Sequence, residues 1–306
     1  MTIMNKIKAI LFTLFVIFAA SISSSAAEAQ TFKVGENDIV ISPIGVYKPS
    51  AIYWADALHL HGVSGKTWIG SSPGNGTEDF KHKRQLRDTI IFAPDNINYN
   101  KEVEFIFFFH GLGGFGKHDF NIRLANNIKN LVAQKRNFIL IIPEMPWSQN
   151  TATPDGRQRL AWSGVEGVED FKTFYQCVMI TINEIFSPVV FANRNTVTLI
   201  GHSAGGGALK QAALSGALNF VKPDKIVFSD ADYVDYTSVV WKKYIKNNPN
   251  CELIILVRKG DKPYKKTMKF LKRFKKKRPK TVKLKVFPRN YSHKKIGDEC
   301  LKWSNI

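Results

Sequence analysis

From residue 103 onward the chain alternates between short apolar runs and longer stretches whose apolar side chains recur every three or four positions. VEFIFFF (103–109), NFILIIP (137–143), TVTLI (196–200), KIVFSD (225–230), CELIILVRKG (251–260) and TVKLKVFP (281–288) have the length and the β-branched or aromatic content of strands. TIIFAP (89–94) reads as a strand just before them. Several runs lack polar alternation, which is the mark of a strand buried on both sides. Between them, 119–135 carries Phe120, Leu124, Ile128, Leu131 and Val132 at helical spacing. Segments 169–186, 204–216, 236–248 and 264–278 read as further helices. Such alternation predicts an α/β fold: a mostly parallel central sheet covered by helices on both faces. Residues 31–109 read as extended segments joined by turns, with SSPGNGTEDF (71–80) as a loop from its Pro, Gly and Asn content.

The first residues follow a different pattern. Lys6 and Lys8 precede the apolar run Ala9 to Ala20, and a Ser/Ala-rich stretch leads to Ala27-Glu28-Ala29. A positive head, a short apolar middle and an A-x-A site describe a secretory signal peptide over 1–29. The run is too short to favour a membrane span. A single domain is expected over 30–306, because no repeat or Pro/Ser-rich linker divides it.

Charge changes the picture at one end only. Of the net +19, a surplus of 16 falls between Arg258 and Lys302, with 19 Lys/Arg against three Asp/Glu. The basic amphipathic helix 264–278 has Tyr264, Met268, Leu271 and Phe274 on one face and is the densest part. On an exported protein, such a face suits an anionic envelope polymer or lipid headgroups. Nucleic acid is not expected, since no recognition motif accompanies the charge. The three cysteines, Cys177, Cys251 and Cys300, fit no metal spacing. Cys177 reads as a buried small residue, and Cys251 and Cys300 are left open as a possible pair. His59-Leu60-His61 is a lone H-x-H without a carboxylate cluster nearby, so the pair is not read as a metal site.

The chemistry concentrates at Gly201-His202-Ser203-Ala204-Gly205, between an apolar strand and a small-residue helix. Small residues on both sides are what a sharp strand-to-helix bend needs, and such a bend lifts a serine hydroxyl above the sheet. A second glycine turn, His110-Gly111-Leu112-Gly113-Gly114, follows an earlier strand. In a parallel sheet it can lie beside the bend and aim backbone N–H groups at a developing oxyanion. Of seven histidines only His293, after the last strand, follows Ser203 in the chain.

On these residues the sequence resembles the α/β-hydrolase superfamily over about 85–300. The secretion signal, the HG turn and the Ser-Ala-Gly-Gly bend narrow the likeness to secreted esterases of the polyhydroxyalkanoate-depolymerase and feruloyl-esterase type. The resemblance implies Ser203 as nucleophile, His293 as base, and the N–H groups of Ala204 and of Leu112 or Gly113 as the oxyanion hole, with no cofactor. It most often places the acid after the second strand beyond the bend, which gives Asp261 in RKGDKPY. A minority position one strand earlier gives Asp230 in VFSDADY, with Asp232 behind it.

The function this implies is a secreted or periplasmic serine hydrolase cleaving carboxylic esters, small or polymeric, through an acyl-enzyme. A peptidase or amidase with the same triad, acting on cell-envelope material, stays open. So does a non-catalytic envelope-binding protein on a hydrolase scaffold. The loop 143–163, with Trp147 and Trp162, is a candidate wall of the substrate cleft, because loops at the carboxyl ends of parallel strands build the site in such sheets.

Overall fold

The computed structural model describes residues 30–34, 37–42, 45–49, 65–71, 77–79, 82–85, 88–112, 124–143, 145, 195–274 and 277–304, together with helical positions between 171 and 182. The signal peptide, Cys177, the His59/His61 pair, Gly113, and Trp147 and Trp162 of the loop 143–163 lie outside the described residues.

Thirteen strands are described: β1 Gln30–Val34, β2 Asn37–Ser42, β3 Gly45–Pro49, β4 Gly65–Ser71, β5 Thr77–Asp79, β6 His82–Gln85, β7 Asp88–Pro94, β8 Glu104–Phe109, β9 Phe138–Pro143, β10 Thr196–His202, β11 Lys225–Ser229, β12 Glu252–Arg258 and β13 Val282–Phe287. Eleven of them form one sheet in the order β1-β2-β3-β4-β7-β9-β8-β10-β11-β12-β13, while β5 and β6 pair separately. From β9 to β13 every neighbouring pair is parallel. The half from β1 through β7 is antiparallel, and β7 meets β9 antiparallel. The crossovers from β8 on run through the helices, so the parallel half coincides with the part of the chain that alternates strand and helix.

Helix α1 is Ala125–Ala133, α2 Gly205–Leu214, α3 Ala217–Val221, α4 Tyr236–Lys243, α5 Lys262–Lys272, α6 His293–Asp298 and α7 Cys300–Trp303. Because strand side chains alternate sides, each buried strand feeds two cores. Phe105, Phe107 and Phe109 of β8 enter one core with Phe171, Phe174, Ala208, Val240 and Phe270. Ile106 and Phe108 enter the other, with Leu124, Ile128, Ile296 and Leu301. Thus α2, α4 and α5 cover one face, and α1, α6 and α7 the other. A buried phenylalanine such as Phe107, 0% exposed, would cost roughly 3–5 kcal/mol if cut to alanine, since its neighbours cannot fill the hole.

Cys251 belongs to the first core and Cys300 to the second. The sheet lies between them, and no disulfide joins them. The basic helix, expected at 264–278, is α5 at Lys262–Lys272, starting from Pro263 in its first turn. Its most buried positions are Pro263, Thr267 and Phe270, with Tyr264, Leu271 and Phe274 packed alongside. The buried stripe is therefore centred one residue before the expected one. Trp241 of α4 sets that centre by packing edge-on against Phe270 and Phe274, with ring centroids 6.2 and 4.8 Å away.

Candidate active site

The carboxyl ends of β8, β10 and β11 lie side by side, with Gly201 level with Phe109 on one flank and with Phe228 on the other. Ser203 is the first residue past β10. Its φ of +52° is left-handed, an unusual conformation for a residue with a side chain. Its N–H donates to the Ser229 carbonyl at 3.1 Å, which fixes the bend against β11. The bend closes because Gly205 has no side chain: a Cβ there would come within 2.0 Å of the Phe109 carbonyl oxygen. Strain of this kind persists only where the surroundings enforce it, and it clusters at reactive sites.

Helix α2 starts immediately after Ser203 with Ala204 as its cap. The first N–H groups of a helix have no partner within it, so that of Ala204 belongs to a donor-rich, partly positive end. On the other side Gly111 closes on the serine, since a Cβ at Gly111 would be 3.0 Å from Ser203 Cβ. The turn is held from behind by His110, which is fully buried. The Met145 N–H donates to His110 Nε2 at 2.8 Å, so the ring proton sits on Nδ1 and is donated to the Gly111 carbonyl at 2.9 Å. His110 is thereby a buried strut of the turn. Leu112, next in line, is exposed.

His293 opens α6. Its Nδ1 lies 2.7 Å from Oδ2 of Asp230, a residue with no exposed surface. Asp230 follows β11 directly, at a left-handed φ of +47°. It is fixed by its own N–H to the Leu256 carbonyl at 2.7 Å and by the Arg258 N–H to its Oδ1 at 3.3 Å. With Nδ1–H donated to the carboxylate, Nε2 of His293 is left as an acceptor. The His293 ring lies 4.6 Å from that of His202, whose Nδ1 donates to the Ser229 carbonyl at 3.0 Å.

The aspartate beside His293 is therefore Asp230, not Asp261 as the commoner family position predicts. Asp261 accepts from Arg258 Nε at 2.5 Å and stands at the cap of α5. Two contacts decide this. Arg258, three residues earlier, holds Asp261 back, and Ser229 Oγ donates to the Ile296 carbonyl at 3.2 Å, anchoring α6 over the end of β11. Asp232, the other alternative, turns away. It accepts from the Thr237 N–H at 3.1 Å and from Thr267 Oγ1 at 3.4 Å, tying α4 to α5. Burial pushes its carboxyl above the usual range, and the neighbouring Asp235 charge adds to the rise.

Tyr233 was not singled out by the sequence. Its ring meets His293 edge-on at 6.2 Å, and its hydroxyl lies close enough to Ser203 for the serine side chain to act on its ionisation. Burial raises its phenol pKa, the Asp230 charge raises it further, and the Ser203 side chain opposes the rise. Its signal in the sequence is only its place three residues after Asp230, which has meaning once the acid is known to follow β11. Among the described residues no three His, Cys, Asp or Glu side chains converge as a metal would require.

No protein-family model matches the sequence, and no curated protein matches it either. Solved structures do match. A ferulic acid esterase superposes with a TM-score of 0.52 at 12% identity, over 79% of this chain and 97% of its own. A protein from Legionella pneumophila, provisionally described as a hydrolase, superposes with a TM-score of 0.52 at 11% identity, over 88% of this chain and 96% of its own. Identity this low speaks to the fold alone. The parallel strands β9 to β13, the antiparallel β7, helices on both faces, the serine bend after β10 and these superpositions agree: this chain has the α/β-hydrolase fold.

Proposed function

We propose that the chain is a serine hydrolase that cleaves carboxylic esters through an acyl-enzyme on Ser203. The observation that supports it best is the coincidence, at the carboxyl ends of the parallel strands, of a serine in a left-handed bend and a histidine whose Nδ1 is held by a buried carboxylate. In this reading His293 Nε2 takes the Ser203 proton as Oγ attacks the acyl carbon. Asp230 keeps the proton on Nδ1 and stabilises the imidazolium. The oxyanion faces the N–H groups of Ala204 and of Leu112 or Gly113. His293 then protonates the departing alcohol, and water, deprotonated by the same nitrogen, releases the acid. The ferulic acid esterase that superposes on the chain agrees with this chemistry, and its name is carried over only as part of the proposal.

The Lys6/Lys8 head, the apolar run and Ala27-Glu28-Ala29 support export of the chain as part of the same proposal. The deciding experiment treats wild-type protein and Ser203→Ala with a fluorophosphonate probe and follows p-nitrophenyl acetate hydrolysis. Labelling and turnover are expected in the wild type only. A folded Ser203→Ala protein that keeps most of the wild-type rate ends the proposal. Matched anilide substrates, turned over faster than the esters, would instead establish an amidase.

A further inference from the structure

We propose, resting on the reading of Ser203 and His293 as nucleophile and base, that His202 is a positioning residue. Its ring is the surface against which the His293 imidazole rests, and it holds that imidazole in the plane from which Nε2 takes the serine proton.

Strand alternation puts His202 in its place. Ile200, two residues earlier in β10, enters the core with Ile296 and Leu301, so His202 leaves the sheet on the side that α6 covers. It is 2% exposed. Its Nδ1–H donates to the Ser229 carbonyl at 3.0 Å, and the same carbonyl accepts from the Ser203 N–H at 3.1 Å. A carbonyl oxygen has two lone pairs, so both bonds coexist. The His202 ring is thereby tied to the anchor that fixes the serine bend. Gly111 leaves it room on the side of the HG turn, since a Cβ there would lie 3.2 Å from His202 Cδ2.

His293 needs such a support. The bond from its Nδ1–H to Asp230, at 2.7 Å, fixes one atom of the ring and leaves the plane free to pivot about it. The side chain is 33% exposed, so packing does not enclose it on every side. Two rings bound the pivot. Tyr233 meets His293 edge-on, with centroids 6.2 Å apart and planes at 80°. His202 lies closer, at 4.6 Å, with planes only 31° apart, so it presents a face and not an edge. A face at that distance resists the rotation that would swing Nε2 away from the serine. A general base has to lie within hydrogen-bond reach of the proton it takes, and a misplacement of about 1 Å costs about 10²-fold in rate.

The test compares wild type with His202→Asn and His202→Phe in the full chain. Asparagine keeps an N–H donor near the place of Nδ1 and has no ring, whereas phenylalanine has a ring and no such donor. Each protein is followed by steady-state kinetics on p-nitrophenyl acetate. Each is also followed by the His293 Nδ1–H proton in the NMR spectrum of isotope-labelled histidine, assigned by its loss in His293→Gln. His202→Asn is expected to lose about 10²-fold in kcat with KM unchanged, and to broaden or lose the Nδ1–H signal. His202→Phe is expected to stay near wild type in both. Wild-type kcat and an unchanged Nδ1–H signal in His202→Asn overturn the proposal. So does the reverse pattern, with only His202→Phe impaired, which would make the bond to Ser229 the part that matters. If His202→Phe fails to fold, His202→Asn decides alone. Fluorophosphonate labelling separates this role from the hydrolase reading. A wild type that labels and turns over, with a normal His202→Asn variant, loses only the role of His202. A wild type that neither labels nor turns over loses the hydrolase reading, and the Nδ1–H signal of His202→Asn then supports or overturns the positioning role by itself.

Discussion

Nδ1 of His293 and Oδ2 of Asp230 stand 2.7 Å apart although 63 residues separate them in the chain. The aspartate is wholly buried and the histidine half-buried, so the pair points from the core toward solvent. Replacing the carboxylate while keeping its shape removes the charge that favours one tautomer and stabilises the imidazolium. Asp230→Asn is expected to lower kcat on a p-nitrophenyl ester by about 10⁴-fold, the scale seen for triad acids. Asp261→Asn, which breaks only the contact with Arg258, is expected to stay within about tenfold of wild type. Steady-state kinetics of the two variants side by side settle the assignment, and comparable losses would count against it.

Tyr233 stands beside both members of the proposed chemistry: its ring meets His293 edge-on, and the Ser203 side chain acts on the ionisation of its hydroxyl. Tyr233→Phe keeps the ring contact and removes the hydroxyl. The expected result is a loss of about tenfold in kcat with little change in stability, because a single neutral hydrogen bond contributes about 1 kcal/mol. Tyr233→Ala, which also removes the ring beside His293, should cost more than Tyr233→Phe in kcat and in thermal stability. Identical kinetics for wild type and Tyr233→Phe would make the tyrosine a packing residue.

Asp232 offers a pH test away from the chemistry. Burial raises its folded-state pKa above the unfolded value, so the folded protein holds the proton more tightly. Its favourable contribution is therefore complete below the unfolded pKa and is lost as pH rises through the folded one. Asn at this position still accepts from the Thr237 N–H and carries no charge at any pH. The Tm of Asp232→Asn relative to wild type is expected to climb between pH 4 and pH 8. A difference that is flat or falling with pH would show that the carboxylate is not penalised by its surroundings.

Cys251 is 3% exposed, and burial, with the nearby Asp224 and Glu252 charges, pushes its thiol up to about 12. At pH 8 only on the order of one molecule in 10⁴ would carry the thiolate there, against roughly a quarter for an ordinary cysteine. Iodoacetamide at pH 8 should leave Cys251 unmodified in native protein and alkylate it in urea, as read by peptide mass spectrometry. Rapid native modification would contradict its placement in the core.

The basic helix gives a prediction about adsorption. Lys265, Lys269 and Lys272 are exposed on α5, whose apolar side is turned to the core by Pro263, Thr267 and Phe270. Changing all three lysines to glutamate is expected to weaken binding to anionic vesicles at low salt, with soluble-ester turnover unchanged. The difference should shrink near 0.1 M salt, where screening acts beyond about 10 Å. Unaltered low-salt adsorption would make the helix a solvated outer element and no more.

By itself the sequence determined what depends on near neighbours. The doubly apolar strands, the helical spacing of the segments between them and the Gly-rich approach to Ser203 are local patterns, and the sheet from β8 to β13 follows them. Gly205 could be read as a bend residue, although its reason, the Phe109 carbonyl 2.0 Å from where a Cβ would lie, belongs to another strand. What the chain cannot express locally is which helix packs over which strand end. Asp230 and Asp261 both follow strands and both precede His293, and nothing in their flanking residues separates them decisively. The choice rests on Ser229 reaching Ile296, a contact made only when α6 docks on β11, and on Arg258 holding Asp261 three residues further on. The two cysteines are parted for a similar reason: strand alternation and crossover direction put Cys251 and Cys300 on opposite faces of one sheet, a distance that sequence spacing does not record.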